Sequence, residues 1–135
     1  MTKSSKQNAS GRPLSPHLSI YKLSITMVMS IVHRITGAAL FFGLAGLVLW
    51  LIALANGVAS FNVAQSLLTS YIGILIAFGF SWALIHHMLG GIRHFIWDMG
   101  KGLEPKTRMQ IAWSTLIGSV GLNIALWVIG AICFA

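Results

Sequence analysis

The sequence is short of charge. Only 2 of its 135 residues are acidic and 9 are Lys or Arg, so charged residues make up 8% of the chain. Soluble domains typically carry about 25%. So few charges cannot cover a water-facing surface, which excludes an ordinary soluble enzyme or nucleic-acid-binding domain despite the net charge of +7. The lone cysteine, Cys133, excludes an internal disulfide and a cysteine-ligated metal cluster.

Long uncharged runs stand where the charges are missing. Residues 35–55, 67–85 and 111–135 contain no Asp, Glu, Lys or Arg. A helix needs about 20 apolar residues to cross the core of a bilayer, and each run is long enough. The runs lack the alternating polarity of membrane-barrel strands. The sequence therefore predicts an all-α membrane protein with three transmembrane helices, surrounded by membrane lipid.

Glycines and charges set the predicted boundaries. We expect an arm and membrane-surface segment at 1–23, transmembrane helices at 24–56, 67–98 and 109–135, an outer loop at 57–66 and an inner loop at 99–108. The basic residues lie in the arm, near the start of the first helix and around the inner loop. By the positive-inside rule, the N-terminus then lies on the cytoplasmic or matrix side.

Ionisable side chains at membrane depth are the candidate functional residues, because burying them there costs several kcal/mol. Arg34 on the first helix and His87 on the second fall at matched depths. A neutral imidazole is a common metal ligand and holds haem iron axially in apolar pockets. A guanidinium suits carboxylates such as the haem propionates. Gly91 and His94 share the helix face of His87, and Gly91 would let a flat macrocycle approach.

The same residues allow plainer interpretations. A membrane histidine can simply hydrogen-bond a neighbouring helix, and Arg34 can extend to the membrane surface. His86 and Arg93 are interpreted as structural, because they lie about 100° or more around the helix from His87. The apolar runs contain no Asp or Glu, which argues against a proton-coupled transporter.

Three segments carry a resemblance to a known family. They are residues 12–18 (RPLSPHL), 30–36 (SIVHRIT) and 87–100 (HMLGGIRHFIWDMG). In this combination the chain resembles the cytochrome b membrane-anchor subunits of succinate dehydrogenase, respiratory complex II. The resemblance covers nearly the whole sequence. It implies a heteromeric helix bundle whose partners are a small membrane anchor subunit, an iron–sulfur subunit and a flavoprotein subunit.

The resemblance also implies roles for individual residues. His87, rather than His86, would be the axial ligand of haem b, with the second ligand supplied by the small anchor subunit. By the same resemblance, Ser30 and Arg34 would line the ubiquinone pocket. Their spacing of four residues, which places them on one helix face, is consistent with this role. The remaining cofactor contacts are expected from His33, Arg34, Gly91 and His94.

The implied function is electron transfer from succinate to quinone, with this chain as anchor, haem ligand and part of the quinone site. The sequence has no flavin motif and no cluster cysteines, so it would not be catalytic alone. The alternatives are the anchor of a related quinol:fumarate reductase and, from a different class, a stand-alone membrane cytochrome b. An initiator methionine near the motif, without an Arg-rich transit peptide, favours a bacterial inner membrane over a mitochondrial one.

Overall fold

A computed structural model of the chain describes residues 22–134. Within them it contains four α-helices and no strand: α1 (Ile25–Ala55), α2 (Val58–Thr69), α3 (Tyr71–Asp98) and α4 (Pro105–Phe134). Helices α1, α3 and α4 are long and apolar enough to cross a membrane. The predicted all-α architecture with three spans is confirmed. Most of the predicted arm, including the 12–18 segment, lies outside the described residues.

The connection between α1 and α3 differs from the predicted loop at 57–66, because most of it is helical. Gly57 follows α1 with φ 99°, a left-handed conformation that favours glycine, and α2 begins directly after it. Ser70 then caps α3, its Oγ accepting a hydrogen bond from the backbone N–H of Gly73 at 3.1 Å. A short helix without charges carries little periodic signal, so the sequence alone did not reveal α2.

The connection between α3 and α4 is shorter than predicted. Gly100 and Gly102 adopt φ 71° and 69° immediately after α3. Helix α4 begins at Pro105, four residues before the predicted start of the third span. Proline suits the first helical position because its missing N–H needs no partner there. The carbonyl of Glu104 accepts the first helical hydrogen bond, from the N–H of Arg108 at 2.8 Å.

Helix α3 is central and packs against both α1 and α4. Few side chains are buried in the part of the chain that the structure describes, and the buried polar and charged ones there are Thr36, His86, Arg93, Thr115, Ser119 and Asn123. Among the described residues the buried hydrophobic ones are only Met29, Ala83 and Ala112, whereas large apolar side chains are exposed along all four helices. This distribution suits a bundle whose outer surface meets lipid and partner helices while polar groups hold the spans together.

Candidate functional site

A cluster of three histidines lies where α1 crosses α3. The rings of His33 and His87 are stacked, with centroids 4.0 Å apart and planes inclined by 13°. The ring of His94 meets His33 edge-on, with centroids 5.3 Å apart and an angle of 63°. Three of the residues singled out in the sequence are thus brought together from two helices.

Glycines on the opposite helices make room for these rings. A Cβ atom on Gly90 of α3 would collide with the His33 ring, and one on Gly37 of α1 would come within 3.0 Å of the His87 Cε1. Each histidine therefore occupies space that a glycine on the other helix leaves free. At Gly91, by contrast, a Cβ would have no neighbouring atom within 4 Å. Gly91, the residue after Gly90 on α3, therefore borders open space.

The Nδ1 atom of His87 is held by α1. It lies 3.1 Å from the carbonyl oxygen of His33 and 3.3 Å from the Thr36 Oγ1. Thr36 itself donates to the same carbonyl at 2.9 Å. A carbonyl oxygen can only accept, so the His87 Nδ1 carries the proton. Because neutral imidazole has a single N–H, the Nε2 atom of His87 keeps a free lone pair.

The free lone pair on the His87 Nε2 limits which kinds of metal centre fit here. Within residues 22–134 no group of three or more His, Cys, Asp and Glu side chains is arranged to hold a metal ion. Haem iron differs from such an ion, because the porphyrin supplies four ligands and the protein supplies only axial ones. One imidazole on this chain meets that requirement.

Ser30 and Arg34 lie on α1, the helix that carries His33. Both are exposed and, being four residues apart, they share one face of α1. Among the described residues no side-chain hydrogen bond joins either of them to the histidines. Both side chains therefore lie on an exposed surface of α1.

His86, adjacent in sequence to His87, faces α4 instead of α1. Its side chain is fully buried, and its Nδ1 lies 3.0 Å from the Oγ of Ser119. The Ser119 hydroxyl donates to the carbonyl of Leu116 at 2.9 Å, so His86 is the donor in the first bond. His86 thus links α3 to α4 on the side away from the cluster.

The α3–α4 interface carries a polar network that sequence reasoning missed. Asn123 and Ser81 are joined by a hydrogen bond of 2.8 Å between Oδ1 and Oγ, and the indole N–H of Trp127 donates to the Ser81 Oγ at 2.9 Å. Thr115, Ser119 and Asn123 follow one another at intervals of four residues along α4. This spacing of polar residues on an otherwise apolar span is the sequence signal that could have identified the polar face of α4.

A separate apolar cavity of about 720 Å³ lies between α1, α2 and α3. Its lining includes Phe42, Trp50 and Phe80, and none of its lining residues is a histidine or carries a charge. The indole of Trp50 donates to the Gln65 Oε1 at 3.3 Å. The three clustered histidines and the pair Ser30 and Arg34 are therefore not part of the lining of this cavity.

These features define the class of protein. It is an integral membrane helix bundle with an imidazole cluster between two spans and polar residues on an exposed helix face. Residues 8–129 match the model of the family described as "Succinate dehydrogenase/Fumarate reductase transmembrane subunit". The chain belongs to this family, the membrane part of complex II, and is a multi-pass inner-membrane protein.

Curated relatives agree with this assignment. The chain is 38% identical to the succinate dehydrogenase cytochrome b556 subunit of Paracoccus denitrificans over 117 residues, covering 87% of this chain and 90% of that one. Against the same subunit of Rickettsia bellii it is 40% identical over 128 residues, with 95% and 100% covered. The mitochondrial cytochrome b560 subunit of Sus scrofa is 40% identical over 127 residues, with 87% and 73% covered.

Proposed function

We propose that this chain is the cytochrome b anchor of a succinate:quinone oxidoreductase, with His87 as an axial ligand of haem b. The observation that carries the proposal is the hydrogen bond from the His87 Nδ1 to the carbonyl of His33. It fixes the tautomer in which Nε2 is unprotonated, the form that binds iron. Metal-ligating histidines characteristically donate their other N–H to such a carbonyl, which also orients the ring.

The surroundings of His87 fit a large planar cofactor. Gly91, one turn further along α3, borders space that no other described residue fills within 4 Å of a Cβ. The buried Nε2 of His33 has no hydrogen-bond partner in the described part of the chain, which leaves a polar atom for a bound group. His94 is exposed beside it. We assign His33, Arg34 and His94 to the polar edge of the cofactor.

The second axial ligand is proposed to come from the small membrane anchor subunit. On α3 the other deep histidine, His86, is directed at Ser119, and His33 lies flat against His87. Neither His86 nor His33 is therefore placed to act as the second ligand of an iron bound to the His87 Nε2. The exposed apolar surface of the spanning helices gives a partner helix room to approach. When bound, the haem supplies a one-electron redox centre within the membrane.

Ser30 and Arg34 are proposed to bind the ubiquinone head group. The hydroxyl of Ser30 and the guanidinium of Arg34 face the same way from α1, so both can reach one quinone oxygen. Arg34 would stabilise the negative charge that develops on this oxygen during reduction. The iron–sulfur and flavoprotein subunits would deliver electrons from succinate at the inner side, which the distribution of basic residues assigns to the N-terminus and the α3–α4 connection.

The test compares two neighbouring histidines in the purified complex. His87→Ala should abolish the reduced-minus-oxidised b-type signal of this haem, because the iron loses its ligand. His86→Ala removes an equally deep imidazole one position away and should keep that signal. The content of flavin per complex, measured in parallel, reports assembly. An unchanged haem spectrum in assembled His87→Ala would refute the proposal.

A further inference from the structure

Arg93 is a buried cation that the function described so far does not use. It is only 2% exposed, and its Nε and Nη1 atoms are buried without a hydrogen-bond partner in the described part of the chain. A guanidinium remains protonated in proteins, so its charge must be stabilised by other means. Its Cζ lies over the indole of Trp97 at 5.1 Å from the ring centroid, a cation–π contact.

The indole of Trp97 begins an unbroken series of ring contacts towards the iron-binding histidine. Its ring meets that of His94 at right angles, with centroids 5.4 Å apart and an angle of 89°. His94 meets His33 edge-on at 5.3 Å, and His33 is stacked on His87 at 4.0 Å. Four consecutive contacts therefore connect the guanidinium of Arg93 to His87.

We propose that Arg93 is a positioning residue for the haem ligand, acting through Trp97 and His94 on the stacked pair of His33 and His87. This inference rests on the proposed function, because it assumes that His87 binds the iron. Arg93 and Trp97 are separated by one helical turn on α3, so the guanidinium fixes the tilt of the indole. The indole in turn restricts His94, and His94 restricts the edge of the His33 ring.

Two measurable properties should depend on Arg93. Ring orientation at the iron sets the g-values of the ferric haem in electron paramagnetic resonance, because these depend on the plane of the axial imidazole. A buried positive charge near the haem favours its reduced form, since it stabilises an added electron more strongly in a low-dielectric site than in water. Loss of the guanidinium should therefore change the g-values and lower the midpoint potential.

The experiment uses the purified complex with Arg93→Met, Arg93→Lys and Arg108→Met. Arg93→Met should retain haem, shift the g-values and lower the midpoint potential, while Arg93→Lys, which keeps a cation over the indole, should return both towards wild type. Arg108→Met removes the same charge from an exposed side chain and should change neither. If Arg93→Met does not assemble, Arg93→Lys and Trp97→Phe decide, with wild-type values expected for the first and shifted g-values for the second.

The outcomes separate this inference from the proposed function. If His87→Ala loses the haem signal and Arg93→Met keeps wild-type g-values and potential, Arg93 does not position the ligand and only this inference fails. An equal shift in Arg108→Met would also overturn it, because the effect would then be one of overall charge. If His87→Ala keeps its haem spectrum, the proposed function is wrong and the inference falls with it.

Discussion

His33 holds His87 through two separate parts of its structure. Its carbonyl oxygen accepts a hydrogen bond from the His87 Nδ1–H, with 3.1 Å between nitrogen and oxygen, and its own ring is stacked on the His87 ring at 4.0 Å. The backbone contact fixes which nitrogen carries the proton, and the side-chain contact fixes the plane of the ring. Both contacts come from one residue of α1, so the state of the proposed ligand depends directly on how α1 packs against α3.

Gly90→Ala should disrupt this packing. Its new Cβ would collide with the His33 ring, and overpacking of this kind typically costs about 1–3 kcal/mol. We expect a lower melting temperature of the complex and a lower ratio of haem to flavin, measured by thermal scanning and by optical spectroscopy.

Gly91→Ala is the matched variant for that experiment. A Cβ at Gly91 meets no described atom within 4 Å, so folding stability should stay within about 0.5 kcal/mol of wild type. If a macrocycle lies beside this residue, the haem spectrum should change although the protein remains as stable. The packing account would be contradicted if Gly91→Ala destabilised the complex as much as Gly90→Ala.

Thr36→Val should weaken the hold on His87 without abolishing haem binding. The substitution removes the hydroxyl that lies 3.3 Å from the His87 Nδ1, while the carbonyl of His33 remains as an acceptor. One such hydrogen bond contributes about 1 kcal/mol, which corresponds to roughly fivefold faster haem loss. Transfer of haem to apomyoglobin measures this rate, and Thr36→Ser, which keeps the hydroxyl, should behave like wild type.

Arg34→Ala should lower quinone reductase turnover by about a hundredfold or more, because a group that stabilises a developing oxyanion typically contributes about 2.7–4 kcal/mol. Reduction of a soluble dye by succinate, which needs only the partner subunits, should stay unchanged. Lys22→Ala removes an exposed cation near the start of α1 and is the control. Wild-type quinone turnover in assembled Arg34→Ala would contradict a quinone role, whereas parallel loss of both activities would indicate an assembly defect instead.

Asn123→Leu should separate the stability of the bundle from its redox site. The side chain is buried and bonds to Ser81 on α3, so its loss leaves a buried hydroxyl with fewer partners and should cost about 1–3 kcal/mol. We expect a lower melting temperature with an unchanged haem spectrum and quinone turnover. Asn62→Leu, at an exposed position of α2, should leave the melting temperature close to wild type.

Cys133 offers a test of orientation. It is exposed at the end of α4, which the positive-inside rule assigns to the outer face. A membrane-impermeant maleimide should label this subunit in spheroplasts. The double variant Lys101→Cys, Cys133→Ser moves the thiol to the α3–α4 connection and should be labelled only after the membrane is opened. The reverse pattern would show that the topology is inverted.

The spans and the residues of the cluster could be predicted from the sequence because each depends on local information. A run of about 20 apolar residues is sufficient to identify a spanning helix. His33 and His87 were noticeable because imidazoles are unfavourable in an apolar span. Helix α2 was missed, since a segment such as residues 58–69 has neither the length of a span nor the charges of a surface helix.

The register between helices could not be predicted in the same way. That Gly37 faces His87 and Gly90 faces His33 depends on how two helices distant in sequence are aligned along their axes. The sequence predicts that Gly91 makes room for a flat macrocycle. In the structure Gly90 leaves space for the His33 ring, while Gly91 borders open space. Adjacent glycines on a helix point about 100° apart, so only the packed arrangement distinguishes them.

The packing of each histidine ring against a glycine of the other helix also restricts how the two helices can move. If α1 slid along α3 by one turn, about 5.4 Å, the rings of His33 and His87 would both leave the space beside these glycines. They would then collide with side chains on the neighbouring turns. The contacts of Gly37 with His87 and of Gly90 with His33 therefore resist sliding of α1 along α3 at two points. The imidazole that we propose as the iron ligand would thus also fix the axial position of one membrane helix against the other.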